Sequence, residues 1–287
     1  MIKNTFVAIA TSARALLRNW RVLIVLILVY TLVLGAVYLF FATREATVGQ
    51  LIETLLVALA APVLFFVIQT IAIRYRRPDQ RFFPLLGGAL RDSWKLIVVS
   101  LPVVLLAVLV LFLLGQFELK DAEQAVSATP SPPRPPSTKT PPPLQWQAVA
   151  LTSIQYLMLC MVLPLAAIHL WIVAARDGLA AALRGAGPAL AQAFKPGAVL
   201  TYAIGFAVFA VAPYFLLSAK TTGASTFTDV GLLVLRLGLA LVLSLTGWVI
   251  TLGALDELMS PRVTAIEGAT PEGAPLDEDP EHAPVQP

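Results

Sequence analysis

Hydrophobic and polar positions fall along this chain in long blocks rather than in short alternation. Apolar runs occupy positions near 22–41, 51–73, 96–115, 148–174, 198–218 and 230–254. A helix crossing a hydrocarbon core of about 30 Å needs about 20 apolar residues at 1.5 Å each, and every run supplies them. No water reaches that core to satisfy a free amide, and runs this long and Leu-rich do not suit barrel strands, so each run predicts a membrane-spanning helix. The expected fold is all-α: a polytopic transmembrane bundle of six spans over residues 1–258. The first run is expected to be retained rather than cleaved as a signal peptide, because it exceeds a signal's apolar stretch and no small-x-small site follows Phe40 and Phe41.

Ahead of three of the spans the pattern changes to a helical period. Phe6, Ile9, Ala13, Leu16 and Trp20 share one face, with Arg14, Arg18 and Arg21 as a basic stripe. That combination predicts an interfacial helix set among anionic headgroups. Leu86, Leu90 and Trp94 follow at steps of four, and Leu179, Leu183, Leu190 and Phe194 make a similar face around Gly185 and Gly187-Pro188. Each lead-in closes on an aromatic–basic pair, Trp20-Arg21, Trp94-Lys95 and Phe194-Lys195, the residue types that anchor helices at an interface. Such short amphipathic helices would lie flat on the leaflet, or offer the surface on which a membrane or cytoplasmic protein partner docks.

The second and fourth runs carry Pro62 and Pro164, and each proline removes the amide that would bond the carbonyl four residues earlier, at Ala58 and Cys160. A kink is expected at each, as a hinge or a fixed bend. Twelve residues beyond each proline stands an arginine, Arg74 and Arg176, and Gly87, Leu90, Trp94 and Lys95 match Gly187, Leu190, Phe194 and Lys195 at a constant offset. Read as repeats, these are three units of lead-in, outgoing helix and returning helix related about the membrane normal; otherwise the pairs recur because interfaces favour indole and lysine. This plan resembles bacterial six-span inner-membrane proteins related to the membrane domain of glycerophosphodiester phosphodiesterases. The resemblance covers residues 1–258 and implies residence in the cytoplasmic membrane.

Composition agrees with a lipid-embedded chain: 58% of residues are hydrophobic and 13% charged, against about one-quarter charged in soluble domains. One cysteine, Cys160, excludes an intrachain disulfide, and two histidines, His169 and His282, leave no set of ligands for a metal. No cofactor and no nucleic-acid partner is expected. Lys3, Arg14, Arg18 and Arg21, then Arg74, Arg76, Arg77, Arg81, Arg91 and Lys95, then Arg176, Arg184, Lys195 and Arg262 share one side; Arg44, Lys120, Arg134, Lys139 and Lys220 face the other. The positive-inside rule places both termini in the cytoplasm, which with the resemblance implies a bacterial inner membrane. Proline-rich residues 118–145 are expected as a disordered external loop, and residues 259–287, acidic around Asp277-Glu278-Asp279, as a disordered cytoplasmic tail.

Charges inside spans are the default candidates for function. Glu53 and Arg236 are expected to meet near the outer leaflet, as an ion pair or in a shared watery pocket. Arg236, Ala240, Ser244, Gly247 and Thr251 share a helical face. His169 suits a bond to a backbone carbonyl or a small polar pocket better than proton transfer, and Gln69 and Gln155 suit bonds between helices. No nucleotide-binding loop, nucleophile elbow or metalloprotease motif is present, so no enzyme is expected. Two functions remain: a non-enzymatic membrane scaffold or accessory subunit, or a carrier or lipid-handling protein with a polar site between kinked helices.

Overall fold

The computed structural model describes residues 2–43, 47–75, 82–127, 146–219 and 226–260, and among these every regular element is a helix. Helix α1 (Ile2–Arg18) precedes α2 (Trp20–Ala42) and α3 (Val48–Arg74). Helix α4 (Phe82–Ser127) is followed by α5 (Trp146–Leu157), a π-helical turn π1 (Met158–Val162) and α6 (Leu163–Asp177). Short helices α7 (Leu179–Arg184) and α8 (Ala186–Ala193) lead to α9 (Pro196–Phe206), a second π-turn π2 (Ala207–Val211), α10 (Ala212–Ser218) and α11 (Thr226–Met259). Six helices, with α5–π1–α6 and α9–π2–α10 each counted as one, are long and apolar enough to cross a membrane. The chain is a multi-pass membrane protein.

The fourth span is the centre of the bundle. In its most apolar window 56% of residues are buried, against 17–22% in the other five. Burial is also uneven along the helices. It gathers at the end that carries Arg74 and Arg176, hereafter the basic end: Val22, Val25, Leu26 and Val29 on α2, Val67 to Ile73 on α3, Leu85 to Ser100 on α4 and Val249 to Leu255 on α11 supply most of it. Toward the far end Leu51, Leu55, Leu105, Phe112 and Leu233 are exposed.

The three lead-ins adopt three different structures. Helix α1 breaks from α2 at Asn19 (φ −102°, ψ 66°) and packs mainly against α11 and α9. It buries Thr5, Ala8, Ser12 and Leu16, while Phe6 and Trp20, expected on the same face as Leu16, are exposed. Small side chains allow the close approach to the neighbouring helices, which outranks the apolar face read from periodicity. The second lead-in is continuous with its span in α4. The third is broken at Gly185 and again at Lys195, held extended (φ −63°, ψ 141°) by Pro196 behind it. Gly178, with φ +90°, makes the sharp turn out of α6 that a residue with a Cβ would resist.

One expected boundary changes. Helix α4 runs on to Ser127, so residues 118–127 of the expected disordered loop are helical. Glu, Leu, Lys, Ala and Gln there favour helix. Residues 128–145, and the tail from 261, lie outside the described residues.

Candidate functional site

Two layers of the bundle concentrate chemistry. The first is a bend layer near mid-span. Because Pro164 has no amide, the carbonyl of Cys160 is free, and the helix widens there into π1, with Leu163 N–H reaching back to Met158 O. The hydroxyl of Tyr202 on α9 donates to the Cys160 carbonyl at 2.8 Å. Pro213 repeats the device: π2 precedes it, the Phe209 carbonyl four residues earlier is freed, and Ser244 Oγ on α11 donates to it at 3.0 Å. Pro213 carries in the sequence the same mark as Pro62 and Pro164, a proline inside an apolar run, yet it is not among the two kinks expected. At Pro62, by contrast, α3 passes through without a π-turn.

A cavity of about 400 Å³ lies between α4, π1–α6 and α9, lined by Val103, Val104, Ala107, Leu159, Cys160, Leu163, Pro164, Ala167, Trp171, Tyr202 and Phe206, with Phe65 and Trp248 at its inner side. A second, of about 220 Å³, lies beyond Phe65 and Trp248 and is lined also by Tyr30, Val33, Ile68, Gln69, Phe209, Ser244 and Leu245. The aromatic hydrogens around the larger cavity all have acceptors. Trp171 Nε1 donates to Ser100 Oγ at 2.7 Å, which in turn donates to Leu96 O; Trp248 Nε1 donates to Gln69 Oε1 at 2.6 Å; the Tyr202 hydroxyl holds Cys160 O. Gln69 thus joins α3 to α11.

The second layer is a charged belt at the basic end. Arg74 Nη1 stands 2.5 Å from Asp92, and Lys95 Nζ 2.7 Å from the other oxygen of the same carboxylate. Arg74 Nη2 also donates to Ala175 O at 3.3 Å. Next to Ala175, Arg176 pairs with Asp256 at 2.6 Å and donates to the Asp256 carbonyl and to Ser260 Oγ. The two arginines that follow their prolines by twelve residues therefore end side by side, and between them they tie α3, α4, α6 and α11. Burial by itself would raise the Asp92 carboxyl, but the hydrogen bond from Lys95 and the charge of Arg74 outweigh it and hold it below the ordinary aspartate range. Tyr75, the residue after α3, donates its hydroxyl to Ser12 O at 3.0 Å and lies where a Cβ on Gly253 would stand, so it locks α1 and α11 to the same belt.

The residues marked in the sequence do not converge. Glu53 is exposed on α3, and among the described residues no ion pair joins it to Arg236. Arg236 instead donates to Ala219 O at 2.6 Å, at the end of α10, where a helix C-terminus leaves carbonyls free. His169 is fully buried and bonds Leu165 O in its own helix at 2.9 Å; since a carbonyl only accepts, Nδ1 carries the hydrogen. Trp20, Trp94, Phe194 and Lys195 are exposed, and the Arg21 guanidinium lies 5.9 Å from the centre of the Trp20 ring. Asp92 and Asp256, which the sequence does not single out, are the residues that pair. Among the described residues no group of His, Cys, Asp and Glu could hold a metal ion. No family model, curated protein or solved structure matches this chain.

Proposed function

We propose that this protein is a non-enzymatic membrane scaffold or accessory subunit of a bacterial inner membrane, with the basic end in the cytoplasm. The observation that carries the reading is the charged belt. It fixes the ends of four helices by paired charges and leaves Lys3, Arg14, Arg18, Arg91, Arg184 and Lys195 exposed around them, with no acidic partner among the described residues. A rigid rim with outward cations suits anionic headgroups of the leaflet and the acidic face of a protein partner. The excess of lysine and arginine on that side supports the orientation.

A carrier working through a polar site between kinked helices finds less support. Glu53, Arg236 and His169 are apart in their bonding, and none of them lines either cavity.

The test is native mass spectrometry of the protein extracted gently from its own membrane. A second polypeptide retained at fixed ratio, and lost on Arg91→Glu with Arg184→Glu, is the expected result. A chain that leaves the membrane without any protein at fixed ratio overturns the reading.

A further inference from the structure

The larger cavity goes beyond the scaffold reading and stands without it. On α4 its lining runs from Val103 to Ala107, eight to twelve residues past Lys95, which is about 12–18 Å along the helix. On α6 it reaches Trp171, five residues short of Arg176, about 8 Å. Measured from the basic end, the cavity therefore occupies the middle of a hydrocarbon core of about 30 Å, where the surrounding solvent is acyl chain and not headgroup or water.

Its lining fits that solvent. The three polar hydrogens of Trp171, Trp248 and Tyr202 are engaged on Ser100, Gln69 and the Cys160 carbonyl. A headgroup or a polar solute placed there would lose its own hydrogen bonds and find no replacement except the weak donor Cys160. A hydrocarbon chain loses nothing on moving in, and it gains contact with aromatic faces that would otherwise line a void. The mouth is apolar as well: Val104, at the lipid side of the lining, is 53% exposed. The cavity lies alongside π1 and Pro164, where the Tyr202 hydroxyl donates to the Cys160 carbonyl.

We propose that the space between α4, π1–α6 and α9 is a binding site for one acyl chain of a bilayer phospholipid, selected by its chain and not by its headgroup. Trp171 and Trp248 form the floor against which the chain end rests.

These two indoles also report on the site. Trp20, Trp94 and Trp146 are exposed, so replacing all three by Phe leaves emission from Trp171 and Trp248 alone. This variant is reconstituted in phosphatidylcholine vesicles whose chains are brominated either near the methyl end or near the headgroup. Expected is loss of most of the emission with methyl-end bromine, little loss with headgroup-proximal bromine, and recovery when Ala107→Phe fills the cavity. Val104→Phe, at the exposed mouth, gives a second plug that the fold tolerates should Ala107→Phe fail to assemble. Equal emission in both lipids, or quenching that neither plug reduces, overturns the site.

Discussion

The basic half and the far half of this bundle are made from the same residue types, yet only one is densely packed. Leu96 on α4 is fully buried, and Leu105, nine residues further along the same helix, is 69% exposed. In water this difference would be a large penalty for the exposed half. In lipid it is nearly free, because a leucine against acyl chains is about as well placed as a leucine against leucine. What holds helices together must then be specific: polar bonds, paired charges and close backbone approach. Apart from the bond of Arg236 to Ala219 O, those identified gather toward the basic end and the layer of π-turns, and that is where the bundle closes.

The largest test of this contrast is the charged belt. Asp92→Ala removes the buried carboxylate that Arg74 and Lys95 share; because both cations reach water, the loss is expected at the low end of that for a broken buried pair, about 3 kcal/mol. The thermal midpoint in mild detergent should fall accordingly, and a change too small to resolve would show that the belt does not hold the bundle. The pH dependence sharpens the point. Since the folded Asp92 carboxyl lies below the usual aspartate value of 3.8, its contribution is present in full above that value and is lost as pH falls through the lower, folded value. Asp92→Asn should therefore flatten the acid limb of the stability profile and leave the neutral region with a lower plateau.

Close approach comes next. A Cβ on Gly205 of α9 would overlap the side chain of Thr251 on α11, and Thr251 is held by its bond to Gly247 O at 2.7 Å. Gly205→Ala is expected to destabilise by about 1–3 kcal/mol, as overpacking does. Adding Thr251→Ala should return part of that loss, since the two residues share one contact. Failure of the second change to help would mean that the α9–α11 distance is set elsewhere.

The two bends give a smaller and paired effect. Tyr202→Phe removes the donor to Cys160 O, and Ser244→Ala the donor to Phe209 O. Bonds between membrane helices average about 0.6 kcal/mol and reach about 1.7. Both changes should fall in that range, with Tyr202 the larger because its hydroxyl is buried with the central span. Equal and negligible effects would show that the π-turns are fixed by proline alone.

How far the sequence reaches follows from the same physics. Spans are legible because lipid demands about twenty apolar residues in a row, whatever the neighbours do. Arg74 and Arg176 are legible as boundary charges for the same reason. Their partners are not: Asp92 is eighteen residues from Arg74 and Asp256 eighty from Arg176, and nothing local selects them over other acids. Arg236 shares a helical face with Ser244 and Thr251 in the sequence, but its bond to Ala219 O depends on where α10 ends. At each π-turn the freed carbonyl is met by a hydroxyl from another helix, so Pro164 and Pro213 announce a break in the backbone ladder without showing which donor meets it. The helical period of α1 misleads for a related cause, since Thr5, Ala8 and Ser12 serve packing beside Leu16 while Phe6 is exposed.

The smallest expected effect bears most directly on the contrast. Leu105→Ala removes a side chain whose neighbours are acyl chains in the folded protein, and they remain acyl chains when helices separate in the membrane or a lipid-like detergent. No cavity forms, because lipid flows into the space; no transfer term changes, because the side chain does not leave hydrocarbon. Stability should hold within about 0.5 kcal/mol, as for an isolated surface substitution. Leu96→Ala on the same helix keeps the cavity term, since Leu96 is enclosed by the packed half and no lipid can fill its place. The pair measures the difference between the two halves in one helix and with one chemical change. Equal losses at the two positions would mean that the far half is closed in the membrane, against another copy or another protein, and that its exposed leucines are an interface.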